Sequence, residues 1–471
     1  MKHSLLLLAL LLVGTNVYAQ FEDFDDLDYR YEKVQKLYKY RVQLADKKNS
    51  PYSVKHPEEF LSQKSIERRK RYGLKVDQHD LPITPAYIDG LKALGLRVHN
   101  ASKWNNTVVV ETADTSVLAR VRELKYVSGV RRVWIGPDSI LKMDKVDRHK
   151  KLAAGTEETD ETLGTYGRAK SQAQMLNVHR LHRQGYKGAG ITIGILDGGF
   201  NNADIIPGLK SAKILGTKQF VDCGNDVYDE GSHGMMVLSC IAANTPGLFV
   251  GTAPEASFYL IQTEDGRSEQ LVEEDNYCAG LEYADSLGCD IVTASLGYTT
   301  FDHKDQNDPY AALNGQTALC SKSASLAASR GIIVLNSAGN SGDESWKKIG
   351  FPADARDILA VGAVRKDSVN TGFSSLGYSS DGRVKPDVMA QGQACTVYGT
   401  NGRLTKANGT SFSCPIMCGA VACLLQACRD KSPVEIMEAV RQSGNNAATP
   451  NEIFGYGIPD MQKALNALQR K

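Results

Sequence analysis

Net charge is almost absent from this chain: its 471 residues hold 55 Lys and Arg against 54 Asp and Glu. A field that small draws in neither nucleic acid nor an acidic membrane surface, so no partner of either kind is expected. Cysteine is missing from the first 222 residues, and all ten cysteines fall between Cys223 and Cys428. None stands in a C-x-x-C pair, which argues against a zinc site. Histidine is scarce late in the chain: after residue 190 only His233 and His303 remain. There is no internal repeat and no low-complexity tract. Beyond the first twenty residues no stretch reads as long and apolar enough to span a bilayer. The rest of the composition is that of a globular protein, 42% apolar with 43 Gly, and the length calls for more than one folding unit.

What is present begins with an export signal. Met1-Lys2-His3 is a basic start, Leu5 to Val13 is an unbroken apolar run, and Val17-Tyr18-Ala19 offers small residues to a signal peptidase. Residues 1–19 therefore read as a signal peptide, and the product as secreted, periplasmic or extracellular. Export would let cysteines pair. Cys414, Cys418, Cys423 and Cys428 share one helical stretch, where they serve equally well as buried apolar residues.

Residues 20–35 are acidic, as in Glu22-Asp23-Phe24-Asp25-Asp26, and read as disordered. Residues 36–141 then alternate strand and helix. Tyr40 to Leu44, Thr107 to Glu111 and Val127 to Trp134 have strand patterns; Glu58 to Tyr72, Pro85 to Leu94 and Ser116 to Leu124 have helical ones. That is a small α+β unit. Residues 142–165 hold 5 Lys or Arg and 6 Asp or Glu in 24 positions, an exposed linker open to proteolysis. From 166 to 471 short Ile, Val and Leu runs (Ile191–Leu196, Ser257–Gln262, Asp290–Ala294, Ile332–Ser337) are separated by helical stretches. Such runs predict the α/β class, with a doubly wound, mostly parallel sheet covered on both faces.

Open sheets of this kind gather ligands at the carboxyl ends of their strands. Asp197-Gly198-Gly199 comes after the first run, Ser295-Leu296-Gly297 after the third and Ala338-Gly339-Asn340 after the fourth. Two helices begin near His233 and Ser411. Peptide hydrolysis by a serine needs an attacking hydroxyl, an imidazole to take its proton, a carboxylate to orient that imidazole, and donors for the oxyanion. Ser411, His233, Asp197 and Asn340 supply one of each. His303 lies in a charged loop, Phe301-Asp302-His303-Lys304-Asp305, which leaves His233 as the base. Ser413 is the competing hydroxyl. Gly188-Ala189-Gly190 precedes its strand and cannot form a dinucleotide turn. No Gly-x-Ser-x-Gly elbow surrounds Ser411.

Asp197-Gly198-Gly199, His233-Gly234 and Gly409-Thr410-Ser411 with Pro415, in that order, resemble the three catalytic blocks of the subtilisin-like serine proteases, the subtilases. Ala338-Gly339-Asn340 resembles that family's oxyanion block, Ser295-Leu296-Gly297 its substrate-binding strand, and Gly455 to Asp460 the close of its domain. The resemblance spans about 166–471. It implies a secreted endopeptidase that works through an acyl-enzyme on protein or peptide substrates, as a monomer and without an organic cofactor. Structural Ca²⁺ occurs in some relatives, and no site for it can be placed. By the same resemblance, 36–141 would be a pro-domain that assists folding and blocks the cleft until the precursor cuts itself within 142–165. Met235 and Met236 stand where the family has Thr and often His, and Phe412-Ser413-Cys414 replaces its usual Met-Ala.

Overall fold

A computed structural model describes residues 29–143, Leu152, 158–221 and 226–470. The expected signal peptide, most of the 142–165 linker and Cys223 lie outside the described residues. Two compact units form. Of the described residues, one holds 29–36 and 137–143. Its described part is an antiparallel pair, Tyr29–Lys33 against Ser139–Met143. The expected disorder of 20–35 therefore gives way at its end to a strand: Tyr-Arg-Tyr favours extended backbone once a partner strand is available.

The second unit joins Leu37–Gly136 to Arg148–Lys471. Its N-terminal layer is a four-stranded antiparallel sheet with helices. The strands are β1 (Tyr38–Leu44), β2 (Arg97–Ser102), β3 (Thr107–Thr112) and β4 (Val127–Ile135), in the order β2-β3-β1-β4. The helices are α1 (Gln63–Arg71), α2 (Pro85–Ala93) and α3 (Leu118–Arg122). Alternation sorts the two faces of the sheet. Tyr40, Val42 and Leu44 join Leu91, Val108, Val110 and Val121 in a core on the α2 and α3 side. Val109, Val133 and Trp104 face the other way, into a core shared with the larger domain.

That larger domain is built on seven parallel strands. In chain order they are β5 (Thr192–Asp197), β6 (Lys213–Gln219), β7 (Ser257–Gln262), β8 (Ile291–Ala294), β9 (Ile333–Ser337), β10 (Leu359–Val364) and β11 (Val388–Gln391). Their order across the sheet is β11-β10-β9-β8-β5-β7-β6. Every neighbouring pair is parallel. Four helices position the site and its N-terminal cover: α4 (His233–Ala242), α5 (Val272–Leu287), α6 (Leu319–Ser329) and α7 (Thr410–Ala427).

Helix α7 corrects one sequence expectation. Its 18 residues have a mean hydropathy of 1.4, enough by length and composition for a span. It is instead the central helix of the domain, 89% buried, and its cysteines pack among Ile416, Met417, Val421 and Leu424. The nine described cysteines are all free and buried. They fill core volume as small hydrophobes, the second of the two roles open to them.

Candidate active site

The chain passes outward through β5 to β6, returns through β7, and then lays β8 on the other side of β5. That reversal opens a crevice at the carboxyl ends of β5 and β8. Asp197 is the last residue of β5. Its backbone carbonyl accepts from Thr263 at 2.9 Å. Its Oδ1 accepts from the Gly198 amide at 2.7 Å and from His233 Nδ1 at 2.8 Å. The carboxylate is 2% exposed while the imidazole is 41% exposed. Helix α4 can approach this closely because its second residue has no side chain. A Cβ on Gly234 would lie 2.9 Å from Asp197 Cβ and 2.8 Å from the Phe200 ring.

Two opposed effects set the imidazole's proton affinity. Burial lowers it, and the charge and hydrogen bond of Asp197 raise it; the raising effects win and hold His233 above its ordinary value. With Nδ1 taken by Asp197, Nε2 is left for other work, and the ring lies 5.8 Å from the ring of Phe412, the residue after Ser411.

Ser411 is in the first turn of α7, 9% exposed. It is tied to the residue after β8 in both directions. Its hydroxyl donates to the Ser295 carbonyl at 3.2 Å, and the Ser295 hydroxyl donates to the Ser411 carbonyl at 2.9 Å. In this rotamer the Ser411 hydroxyl is not hydrogen-bonded to His233. Ser413 is fully buried and spends its hydroxyl on Thr410 O at 3.0 Å, so it offers no nucleophile.

Asn340 lies just beyond β9. Thr410 donates its amide and its hydroxyl to Asn340 Oδ1, each at 2.9 Å. The Thr410 hydroxyl also accepts from the Gly339 amide at 3.2 Å. Gly409 brings these pieces together with a φ of 146°, and a point where its Cβ would stand is 3.6 Å from both Asn340 Nδ2 and the Ser411 amide nitrogen. Two donors therefore border one small space at the start of a helix, an arrangement suited to an anion. Ser295-Leu296-Gly297 follows β8, with the Leu296 carbonyl held by Asn336 Nδ2 at 2.8 Å and by Ser337 Oγ at 3.2 Å.

Of the seven residues singled out from sequence, Asp197 is thus paired with His233, Ser411 is bonded to Ser295, and Asn340 is bonded to the residue before Ser411; Leu296 and Gly297 follow Ser295 directly in the chain. Two others at that rim escape the sequence reading. Thr410 orients Asn340. Glu264, two residues past β7, accepts from Tyr298 at 2.8 Å and from Thr263 at 3.0 Å. Burial above all, with the charge of Glu269, raises its carboxyl well above the usual range. Its place near the end of a buried strand, like those of Asp197 and Asn340, is the signal that marks it. Among the described residues no three His, Cys, Asp or Glu side chains converge on a metal position.

Known proteins match this arrangement. Residues 188–457 match the model of the subtilase family, and residues 39–153 match that of a peptidase S8 propeptide domain of Bacteroidota. Subtilisin DY of Bacillus licheniformis is 32% identical over 289 residues, covering 60% of this chain and 93% of that protein. Subtilisin E of Bacillus subtilis is 31% identical over 295 residues, covering 60% of this chain and 68% of that protein. Among solved structures, the epidermin leader peptide processing serine protease of Staphylococcus aureus shares the fold, with a TM-score of 0.64 at 18% identity over 93% of this chain and all of that one. The propeptide match accounts for the N-terminal layer, and peptides are the substrates such a cleft takes. The chain belongs to the subtilase family: it is a subtilisin-like serine endopeptidase, made as a precursor with its own propeptide domain.

Proposed function

We propose that this enzyme cleaves peptide bonds through an acyl-enzyme formed on Ser411, cuts its own precursor within residues 142–165, and works outside the cytoplasm. The hydrogen bond between His233 Nδ1 and Asp197 Oδ1 carries the reading. It fixes the tautomer, leaving Nε2 as the acceptor for a serine proton. A turn of Ser411 about χ1 exchanges its bond to Ser295 O for one to Nε2. The hydroxyl oxygen then attacks the scissile carbonyl as its proton passes to His233. The carbonyl oxygen, now negative, is held by Asn340 Nδ2 and the Ser411 amide. His233 returns the proton to the leaving amine, and water repeats the cycle on the ester. Asp197 stays ionised and stabilises the imidazolium. Ser295-Leu296-Gly297 offers backbone to pair with the acyl-side peptide. The basic and apolar start of the sequence supports export.

A fluorophosphonate probe tests this directly. The mature enzyme should label at Ser411, and the Ser411→Ala precursor should neither label nor lose its propeptide. Normal maturation of Ser411→Ala would remove self-cutting from the mechanism; labelling elsewhere would remove Ser411.

A further inference from the structure

The crevice has an acidic side that the chemistry proposed for Ser411 does not use. In the sheet β5 lies between β8 and β7, so the stretches beyond β8 and β7 flank the end of β5. Beyond β8 come Ser295-Leu296-Gly297 and then Tyr298; beyond β7 come Thr263 and Glu264. Hydrogen bonds tie the three strand ends together. The Thr263 amide donates to Asp197 O at 2.9 Å. The Tyr298 hydroxyl reaches across from the β8 side and donates to Glu264 Oε1 at 2.8 Å, and the Thr263 hydroxyl donates to the same oxygen at 3.0 Å.

One oxygen of Glu264 is therefore held twice, while among the described residues Oε2 accepts no hydrogen bond. Tyr298 is a rigid support for it: the ring is buried and stacked on Phe301 at 5.8 Å. Glu264 itself is partly exposed. Its Cβ lies 3.6 Å from the point where a side chain on Gly198 would begin. Gly198, the neighbour of Asp197, has no side chain to put there.

The charges that act on this carboxyl have its own sign. Glu269 and Asp197 raise its proton affinity, and Glu264 in turn raises that of Glu273. The cation of the same stretch, Arg267, is bonded to Asp265 at 2.6 and 3.0 Å. Among the described residues Glu264 has no ion-pair partner. Burial and repulsion thus favour the protonated acid while the cleft is empty. An ammonium or guanidinium group brought by a substrate would take that proton's place and form a charge-assisted hydrogen bond.

A peptide paired with Ser295-Leu296-Gly297 gives its scissile carbonyl to Asn340 on the β9 side. The alternation of an extended chain then turns the preceding side chain the other way, toward Gly198 and Glu264. We propose that Glu264 is a specificity-determining residue, which selects protein and peptide substrates with lysine or arginine as the second residue on the acyl side of the cut.

The inference rests on the acyl-enzyme reading of Ser411, and its test keeps the two apart. A fluorophosphonate first counts the working sites of the mature enzyme, and kcat/KM per labelled site is then measured on two series of peptides. One series varies the second acyl-side residue among arginine, citrulline, lysine and norleucine. The other makes the same changes at the third. At the second residue arginine should be favoured over citrulline, and lysine over norleucine, by roughly 10- to 100-fold; at the third the charge should matter little. In Glu264→Gln, which keeps an acceptor for Tyr298, the preference should vanish. Tyr298→Phe removes the support and should weaken the preference, and it decides the matter if Glu264→Gln does not fold. Glu269→Gln takes a carboxylate from the same acidic corner and should retain the preference. A natural enzyme indifferent to charge at the second residue, or equally responsive to it at the third, overturns the inference without any variant. So does a Glu264→Gln enzyme that keeps the preference or a Glu269→Gln enzyme that loses it. Failure to label Ser411 would count instead against the acyl-enzyme reading.

Discussion

Thr410 donates both its amide and its hydroxyl to the side-chain oxygen of Asn340, each at 2.9 Å. With the oxygen held twice, the amide nitrogen is turned toward the space beside the Ser411 amide. In the proposed mechanism the threonine next to Ser411 is therefore a positioning residue for Asn340.

Asn340→Ala should lower kcat by roughly a hundred- to a thousandfold with little change in KM, because the bond it removes forms fully only in the transition state. Thr410→Val should lower kcat less, and should also destabilise the fold by about 1–3 kcal/mol by orphaning the Gly339 amide. Steady-state kinetics on a peptide substrate and thermal unfolding separate the two effects. A Thr410→Val enzyme with unchanged kcat would end the positioning role.

Asp197 also sets a pH limit. The base must be neutral to take the serine proton, and Asp197 raises the proton affinity of His233 above its usual value of 6.5. Activity should thus be absent at low pH and climb through a midpoint above 6.5. In Asp197→Asn the raising charge is gone, so the midpoint should fall below that of the natural enzyme, while the plateau drops by about 10⁴. A pH profile of kcat/KM measures both; an unmoved midpoint would contradict the assignment.

Gly419 should resist replacement even though alanine is the better helix former. It sits fully inside α7, and a Cβ there would stand 2.8 Å from Thr252 Cβ and 2.9 Å from its backbone carbon. Gly419→Ala should cost about 1–3 kcal/mol through overpacking, against a gain of about 1 kcal/mol in helix propensity. Chemical denaturation reads the net sign, which should be destabilising.

Nine free thiols in the core should be silent in the native protein. Burial pushes several of them up, Cys289 and Cys414 to about 12, so little thiolate is present to react. A thiol reagent should count at least nine more groups after unfolding, and a reductant should leave the melting temperature unchanged. A fall in melting temperature with reductant would reveal a disulfide.

Much of this could be read from sequence because strand ends and helix starts are local signals. The runs at β5, β7, β8 and β9 stand out as apolar blocks, and the residues at or just past the ends of β5, β8 and β9 are the ones that line the rim. What stayed hidden depended on partners far away. Strand β2 reads Arg-Val-His-Asn-Ala-Ser and carries no strand pattern, because Asn100 and Ser102 are polar to suit Asn276 and Glu282 on α5. Helix α5 looks like a charged surface helix for the same reason. Each polarity is explained only by the other. Edge strand β6 is mostly exposed and lacks an apolar run. The apolar α7 fits a core helix and a membrane span equally until its burial is known.

The order of elements along the chain also governs timing. Along the chain the propeptide layer comes first, and α5, the helix it bonds to, follows before β9 brings Asn340 and α7 brings Ser411. The last two site residues to be made therefore join a fold whose N-terminal layer and its partner helix are already present.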